Sequence, residues 1–397
     1  MEWKEVRLGD VCSELSDGLH KAPKFIVNGE YIFVNAKNLY NGYILDNDPT
    51  KKTSHEEYLK YKKPLGKHTI LYSIDGTIGN IAKYRGEKCV LGKGACYINC
   101  NPEIVESSYL YYQLQSPHFK SYIHLMSTGS TIKHISLKTM RDYVFELPSL
   151  EDQRRIASIL SSLDRKIELN NKINADLKEM AQAIFKNWFV DFEPFKDGKF
   201  VDSELGMIPE GWKVGSPYEY VKVVYGAPYK SAKFNDNGEG LPLIRIRDLK
   251  DCNPQFYTPE ILPQTEYVNM GDIVAGMDAE FVPHIWKGNT GLLNQRVCKL
   301  MPQQTSISNL FVLYLMKPEL EFVQSYKTGT TVSHLGKADI DKFVVVLPPL
   351  KVVEECSKIL DSILQRIKNI SAESRTLSTL RDTLLPRLMS GELEVPE

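Results

Sequence analysis

Between Glu151 and Trp188 the seam positions recur in alternating steps of four and three: Ile156, Leu160, Leu163, Ile167, Asn170, Asn174, Leu177, Ala181, Ile184 and Trp188. This is a heptad pattern about five repeats long, and it predicts one long helix. Its start is marked too, because Leu147-Pro148-Ser149 ends an apolar strand and Glu151 with Asp152 place negative charge in the first turn. So narrow an apolar stripe needs a partner helix to cover it.

The chain supplies that partner. An offset of 200 residues turns the seam into Cys356, Leu360, Ile363, Ile367, Ile370, Ser374, Leu377, Leu384 and Leu388. The same offset carries Thr128-Gly129-Ser130-Thr131 to Thr328-Gly329-Thr330-Thr331, His134 to His334, and Leu147-Pro148 to Leu347-Pro348. One offset linking a turn motif, a strand end and a heptad helix predicts an internal duplication. Asn170 and Asn174 read either as local imperfections of the seam or as a device fixing register.

The globular parts alternate like short strands with frequent turns. Tyr31–Val34 and Thr69–Tyr72 are β-rich runs, and Ser107–Tyr122 is a short helix interrupted near Ser116-Pro117. Leu243–Leu249 repeats Ile32–Leu39, Gly271–Val274 repeats His68–Leu71, and Val297-Cys298 repeats Ala95-Cys96. Pro386 predicts a kink or an end to the second helix near Leu385, with a frayed tail. The fold class expected is α+β: two mixed α/β domains, 1–148 and 208–347, separated by two long helices packed as an antiparallel coiled coil about a pseudo-twofold repeat. The segment 149–207 is the central helix and linker, and 348–397 the C-terminal helix. The scaffold repeats while its polar residues change, as two readers of different targets would require.

Composition narrows the classes. With 42% hydrophobic and 25% charged residues, and no apolar run long enough to span a bilayer, the chain reads as soluble. Met1–Glu5 lacks a signal-peptide pattern, so the seven cysteines are expected reduced, in the cytoplasm. The gaps between Cys89, Cys96 and Cys100 miss zinc spacing, and no metal site is expected. A net charge of -1 excludes a protein coated in basic residues, so any nucleic-acid face must come from segregation of charge within the fold. Catalytic motifs are missing. Asn101-Pro102-Glu103 and Asn253-Pro254-Gln255 lack the second proline and aromatic of an amino-methyltransferase pocket, and Gly76–Gly79 is too short for a phosphate loop.

Four motifs then point to a family. The runs Leu147–Gln153 (LPSLEDQ), Trp188–Pro194 (WFVDFEP), Leu205–Trp212 (LGMIPEGW) and Leu384–Gly391 (LLPRLMSG) resemble the specificity subunit of type I restriction-modification enzymes. The resemblance covers essentially the whole chain. It implies a non-catalytic subunit whose two target recognition domains each read one half of a split sequence in double-stranded DNA. Two methylation subunits binding S-adenosylmethionine would dock on it, and motor-nuclease subunits would use ATP and magnesium. The second helix departs from the pattern: it opens LKVVEE from Leu350 to Glu355, without the Asp152-Gln153 pair. A coiled-coil adaptor that binds only proteins is the alternative, and falling DNA affinity with rising salt would separate the two.

Base reading needs forked side chains and phosphate binding needs cations, which three regions supply. The first is the hydroxyl-rich turn with Ser130, Thr131, Lys133, His134 and Lys138, repeated as Thr330, Thr331, His334 and Lys337. The second sets Asn35, Lys37 and Asn38 against Arg245 and Arg247. The third sets Lys83, Arg85 and Lys93 against His284, Lys287 and Arg296. At the end of the first helix, Trp188, Phe189 and Phe192 are expected to anchor a partner.

The helices also predict a ruler. About 35 residues at 1.5 Å each span roughly 50 Å, somewhat more than one DNA turn of about 34–36 Å. Inserting about four residues into each helix, near Asn171 and Asn369, should lengthen the unread spacer by about one to two base pairs. The bases of the half-sites should not change. Mapping methylated sites reads both, and an active variant that keeps the original spacing would defeat the ruler.

Overall fold

The computed structural model describes residues 3–46, 51–127, 134–327 and 334–395. The chain divides into two compact units, Met1–Ile167 with Leu377–Glu397, and Glu168–Thr376. The long helices, Leu150–Phe189 and Leu350–Met389, are each continuous and each shared between the units. The units therefore do not coincide with the four segments expected from the sequence.

In the first unit, Lys4–Arg7 pairs antiparallel with Val144–Leu147, immediately before the long helix. The main sheet is antiparallel, in the order Cys12–Asp17, Ala95–Cys100, Thr69–Ser73, Ile81–Lys83. A smaller sheet sets Tyr31–Val34 parallel to Cys89–Leu91. Both of these strands are buried along their whole length, which explains their unbroken apolar runs. Against the main sheet pack the helices Ser107–Gln113 and Pro117–Met126, filling the core with Tyr109, Phe119 and Tyr143. The break between them is as expected: Pro117 opens the second helix, and Ser116 Oγ accepts from Phe119 N–H at 3.2 Å.

The second unit repeats this order. Lys213–Gly215 pairs with Val345–Leu347, and the main sheet runs Val221–Tyr225, Val297–Pro302, Ile273–Gly276, His284–Ile285. Leu241–Ile244 lies parallel to Gly291–Leu293. The helical break is closed here, where Asn309–Lys327 runs through Pro318 as one helix.

Local chemistry fixes the helix ends. Ser149 Oγ accepts from Asp152 N–H (3.2 Å) and donates to Asp152 Oδ2 (2.7 Å). Gln153 is buried, accepting from Glu106 N–H (2.8 Å) and donating to Pro148 O (2.9 Å), so the Asp152-Gln153 pair seats the helix on its own unit. Its counterpart, Val353, fills the same role apolarly. Pro386 neither ends the second helix nor frays its tail. The helix continues to Met389 and stops at left-handed Gly391, whose carbonyl-satisfying bond runs from Leu393 N–H to Arg387 O (3.0 Å). Burial of Leu385, Leu388, Met389 and Val395 in the first unit's core outweighs the one backbone bond the proline removes.

The seam residues Ile156, Leu160, Leu163, Ile167, Asn170, Asn174, Leu177 and Ile184, with Leu360, Ile363, Ile367, Ile370, Leu377 and Leu384, are all buried or half-buried. In the second unit Asn170 Nδ2 donates to Glu373 (2.8 Å) and Ser374 (3.2 Å), and Asn174 Nδ2 to Ser371 (3.2 Å), so the two helical segments there run in opposite directions. Past Leu177 the buried positions shift to Ala181, Phe185 and Phe189, in steps of four. The helix there enters an aromatic core formed with Trp212, Phe311 and Tyr314. This corrects the anchor assigned to Phe189, a residue 7% exposed whose ring meets Trp212 and Phe311. Trp188 and Phe192 border the same core, against Phe195 and Trp212.

Phe189→Ala should therefore destabilise the second unit by about 3–5 kcal/mol. Thermal unfolding gives the loss, and co-purification with a methylation subunit below the lowered transition should be retained. Loss of the partner from a variant of undiminished stability would restore the anchor.

Candidate nucleic-acid interface

One constellation is built in both units. After strand Thr69–Ser73 the chain continues through buried Ile74, whose carbonyl accepts from Ile135 N–H at 2.9 Å. That bond brings His134 beside Asp75, Nδ1 to Oδ1 at 2.6 Å, while Lys93 Nζ stands 3.7 Å from Asp75 Oδ2. After strand Ile273–Gly276, Met277 O accepts from Leu335 N–H at 2.7 Å. His334 Nδ1 meets Asp278 Oδ1 at 2.7 Å, and Arg296 Nη1 meets Asp278 Oδ2 at 2.7 Å. The turn after each aspartate is left-handed, at Gly76 (φ +71°) and at Ala279 (φ +60°).

A carboxylate on Nδ1 fixes the ring's orientation and tautomer. The aspartates are largely covered, whereas the outer side chains stay open: His134 39%, Lys93 48%, His334 47% and Arg296 57% exposed. Each unit thus presents an imidazole and a cation at a strand end on a shared carboxylate base, an arrangement suited to phosphate or base-edge contact. Lys138 and Lys337 lie exposed on the short helices that follow, Leu137–Arg141 and Lys337–Ile340. Lys37 and Arg247 are exposed at matching places on the 3-10 turns Ala36–Asn38 and Ile246–Asp248. Ser130, Thr131 and Lys133, with Thr330 and Thr331, lie outside the described residues.

Asp75 and Asp278 were not among the expected site residues. Their signal was the repeat itself, an aspartate two residues beyond each of the matching strand ends Ser73 and Gly276.

Other expected contacts are taken up by the fold. Asn38 is fully buried, accepting from Asn35 N–H (3.0 Å) and donating to Leu45 O (3.1 Å). Asp248 does the same work in the second unit, accepting from Arg245 N–H at 2.9 Å. Asn35 and Arg245 are therefore cap residues of a turn, and the Arg245 guanidinium stacks on Phe256 at 4.3 Å instead of facing out. Arg85 stacks on Tyr43 (4.1 Å) and donates to Gly42 O (2.6 Å). His284 is half-buried beside Glu280 at 3.6 Å, and burial holds its pKa below the ordinary value. Lys287 lies in the loop beyond it.

Lys83 is corrected most clearly. Its ammonium sits over Tyr111 (4.4 Å) and Tyr112 (5.5 Å), and burial lowers its pKa to about 8. Between pH 8 and 10 the unfolded chain holds a proton here that the folded chain has released, so stability should rise with pH across that window. Lys83→Met should raise the unfolding midpoint at pH 7 and flatten that rise. A variant with the wild-type pH profile would show that Lys83 is not the group responsible.

The geometry can be set beside known proteins. The family described as "Type I restriction modification DNA specificity domain" matches residues 1–179 and 209–377. The specificity subunit of the MjaIX type I restriction enzyme of Methanocaldococcus jannaschii is 28% identical, over 94% of this chain and 86% of its own. That of the HindI enzyme of Haemophilus influenzae is 23% identical, over 99% and 100%. In fold, the chain is similar to the S subunit of a type I restriction-modification system from M. genitalium, with a TM-score of 0.55 at 16% identity, covering 98% of this chain and 96% of that one. Among the described residues no helix is long and apolar enough to cross a membrane. The chain belongs to the type I restriction-modification specificity family, as a subunit that recognises DNA sequence.

Proposed function

We propose that each globular unit reads one half of a split target, with the Asp75–His134–Lys93 edge serving one half and the Asp278–His334–Arg296 edge the other. The observation that carries this is the duplication of one polar constellation on strand ends of matching order, with different cations on it. Lys37 and Lys138 would extend the first edge, and Arg247 and Lys337 the second. The two long helices form an antiparallel coiled coil about a pseudo-twofold axis, acting as spacer and as docking surface for two methylation subunits. The polar contacts of Asn170 and Asn174 support a fixed register in that seam.

The subunit itself is non-catalytic and works in the cytoplasm. S-adenosylmethionine belongs to the methylation subunits, and ATP with magnesium to motor-nuclease subunits joining the same assembly. The protein-only adaptor is not favoured, because the family matched over most of the chain is one of DNA specificity.

Replacing residues 1–148 by a related domain should change one half-site and leave the other intact. His134→Ala and His334→Ala should each weaken recognition of one half only. Mapping methylated sites tests all three, and a simultaneous change in both half-sites would refute independent reading.

A further inference from the structure

The two copies of the repeat differ in how they treat the ribbon that precedes each long helix. In the second unit Lys213–Gly215 and Val345–Leu347 set Val214 opposite Val346, and both valines pack on the aromatic core together with Phe192 and Phe195. The offset of 200 carries Val346 to Glu146, Phe192 to Glu392 and Phe195 to Val395, while Trp212 matches Trp3, so that Val214 falls on Glu5. In the first unit Glu5 stands directly opposite Glu146. Three of four positions that join a core in the second unit thus hold carboxylates in the first.

These three carboxylates line one cavity of the first unit, of about 610 Å3. Its apolar wall includes Pro117, Val144, Pro386 and Met389, with Val144 37% exposed. Glu392 is paired with Arg387 at 2.8 Å. Glu5 and Glu146 have no cation among the described residues, and Lys4 and Arg7 of the same strand do not line the cavity. Like charges directly opposed across a ladder destabilise it, so the fold gains nothing from holding this pair together.

A buried polar group borders the same cavity. Gln113 is 3% exposed, and its Nε2 donates to Tyr143 OH at 2.9 Å, a hydroxyl that also meets His118 Nδ1 at 2.8 Å. Its Oε1 is buried without a donor. An acceptor left unpaired out of water is costly, and an N–H entering the cavity would satisfy it.

We infer that this cavity receives a lysine or arginine side chain carried on an apolar segment of a partner protein. The cation would lie against Glu5 and Glu146, and its apolar neighbours on the wall formed by Val144 and Met389. A free small cation would answer the carboxylates but leave most of that wall wet, whereas a side chain delivered with apolar neighbours covers both. The inference goes beyond the DNA-recognition reading, which stands or falls separately.

The test titrates the full-length chain, by calorimetry, with an acetylated and amidated leucyl-arginyl-leucine peptide, with its uncharged citrulline counterpart, and with butylguanidinium. The arginine peptide should bind saturably and about fivefold more tightly than the citrulline peptide. Glu5→Gln and Glu146→Gln should each reduce that margin while raising the unfolding midpoint, because the opposed charges are relieved. Weaker binding by a more stable protein is a result that a purely structural role would not give. Equal affinity for the two peptides would overturn recognition of a cation. Butylguanidinium binding as tightly as the arginine peptide would overturn the partner segment in favour of a free small cation. Wild-type affinity in both variants would overturn the site, as would a wild-type chain that shows no saturable binding.

Discussion

A heptad stripe cannot face water, and each unit of this protein is organised by the need to cover one. In the first unit Ile156 and Leu160 are buried against Leu385 and Leu388, so residues more than 200 positions apart share one core. In the second, Val353, Cys356 and Leu360 join Ala181, Phe185 and Phe189. Closing so long a loop costs little more than closing a short one, since the entropic penalty grows only with the logarithm of length. The apolar area buried along the helices is gained in full.

That economy of scaffold leaves the polar surface open to change. Asn38 and Asp248 perform the same internal task, capping a turn on strands of equal rank, while the neighbouring exposed positions hold Lys37 in one unit and Arg247 in the other. The aspartate–histidine pair is likewise constant, and the third member changes from lysine to arginine. Arginine offers a planar fork where lysine offers a point charge, so the two edges differ in what they can distinguish.

Periodicity and repetition made the helices, the duplicated strands and the family legible in the sequence, because both are properties of many residues at once. Single side chains were harder. Nothing local distinguishes Asn38, which closes a turn, from Lys37 beside it, which faces out, and Lys83 differs from an ordinary surface lysine only through Tyr111 and Tyr112 beneath it. Phe189 misled for a related reason: the seam period drifts where the helix enters an aromatic core that Trp212, Phe311 and Tyr314 share with it. Pro386 misled because a local rule was outweighed by distant packing around Leu388 and Val395.

The way the helices are shared bears on how the molecule is made. A ribosome releases Glu168–Thr376 as one uninterrupted stretch, so the second unit has its whole sequence available before the first does. The first unit, though it emerges earlier, waits for Leu377–Val395 to fill its core and cover Trp3. The beginning of the chain is thus the last part to be completed, and premature termination near the end would leave one core of the domain made first without Leu385, Leu388, Met389 and Val395.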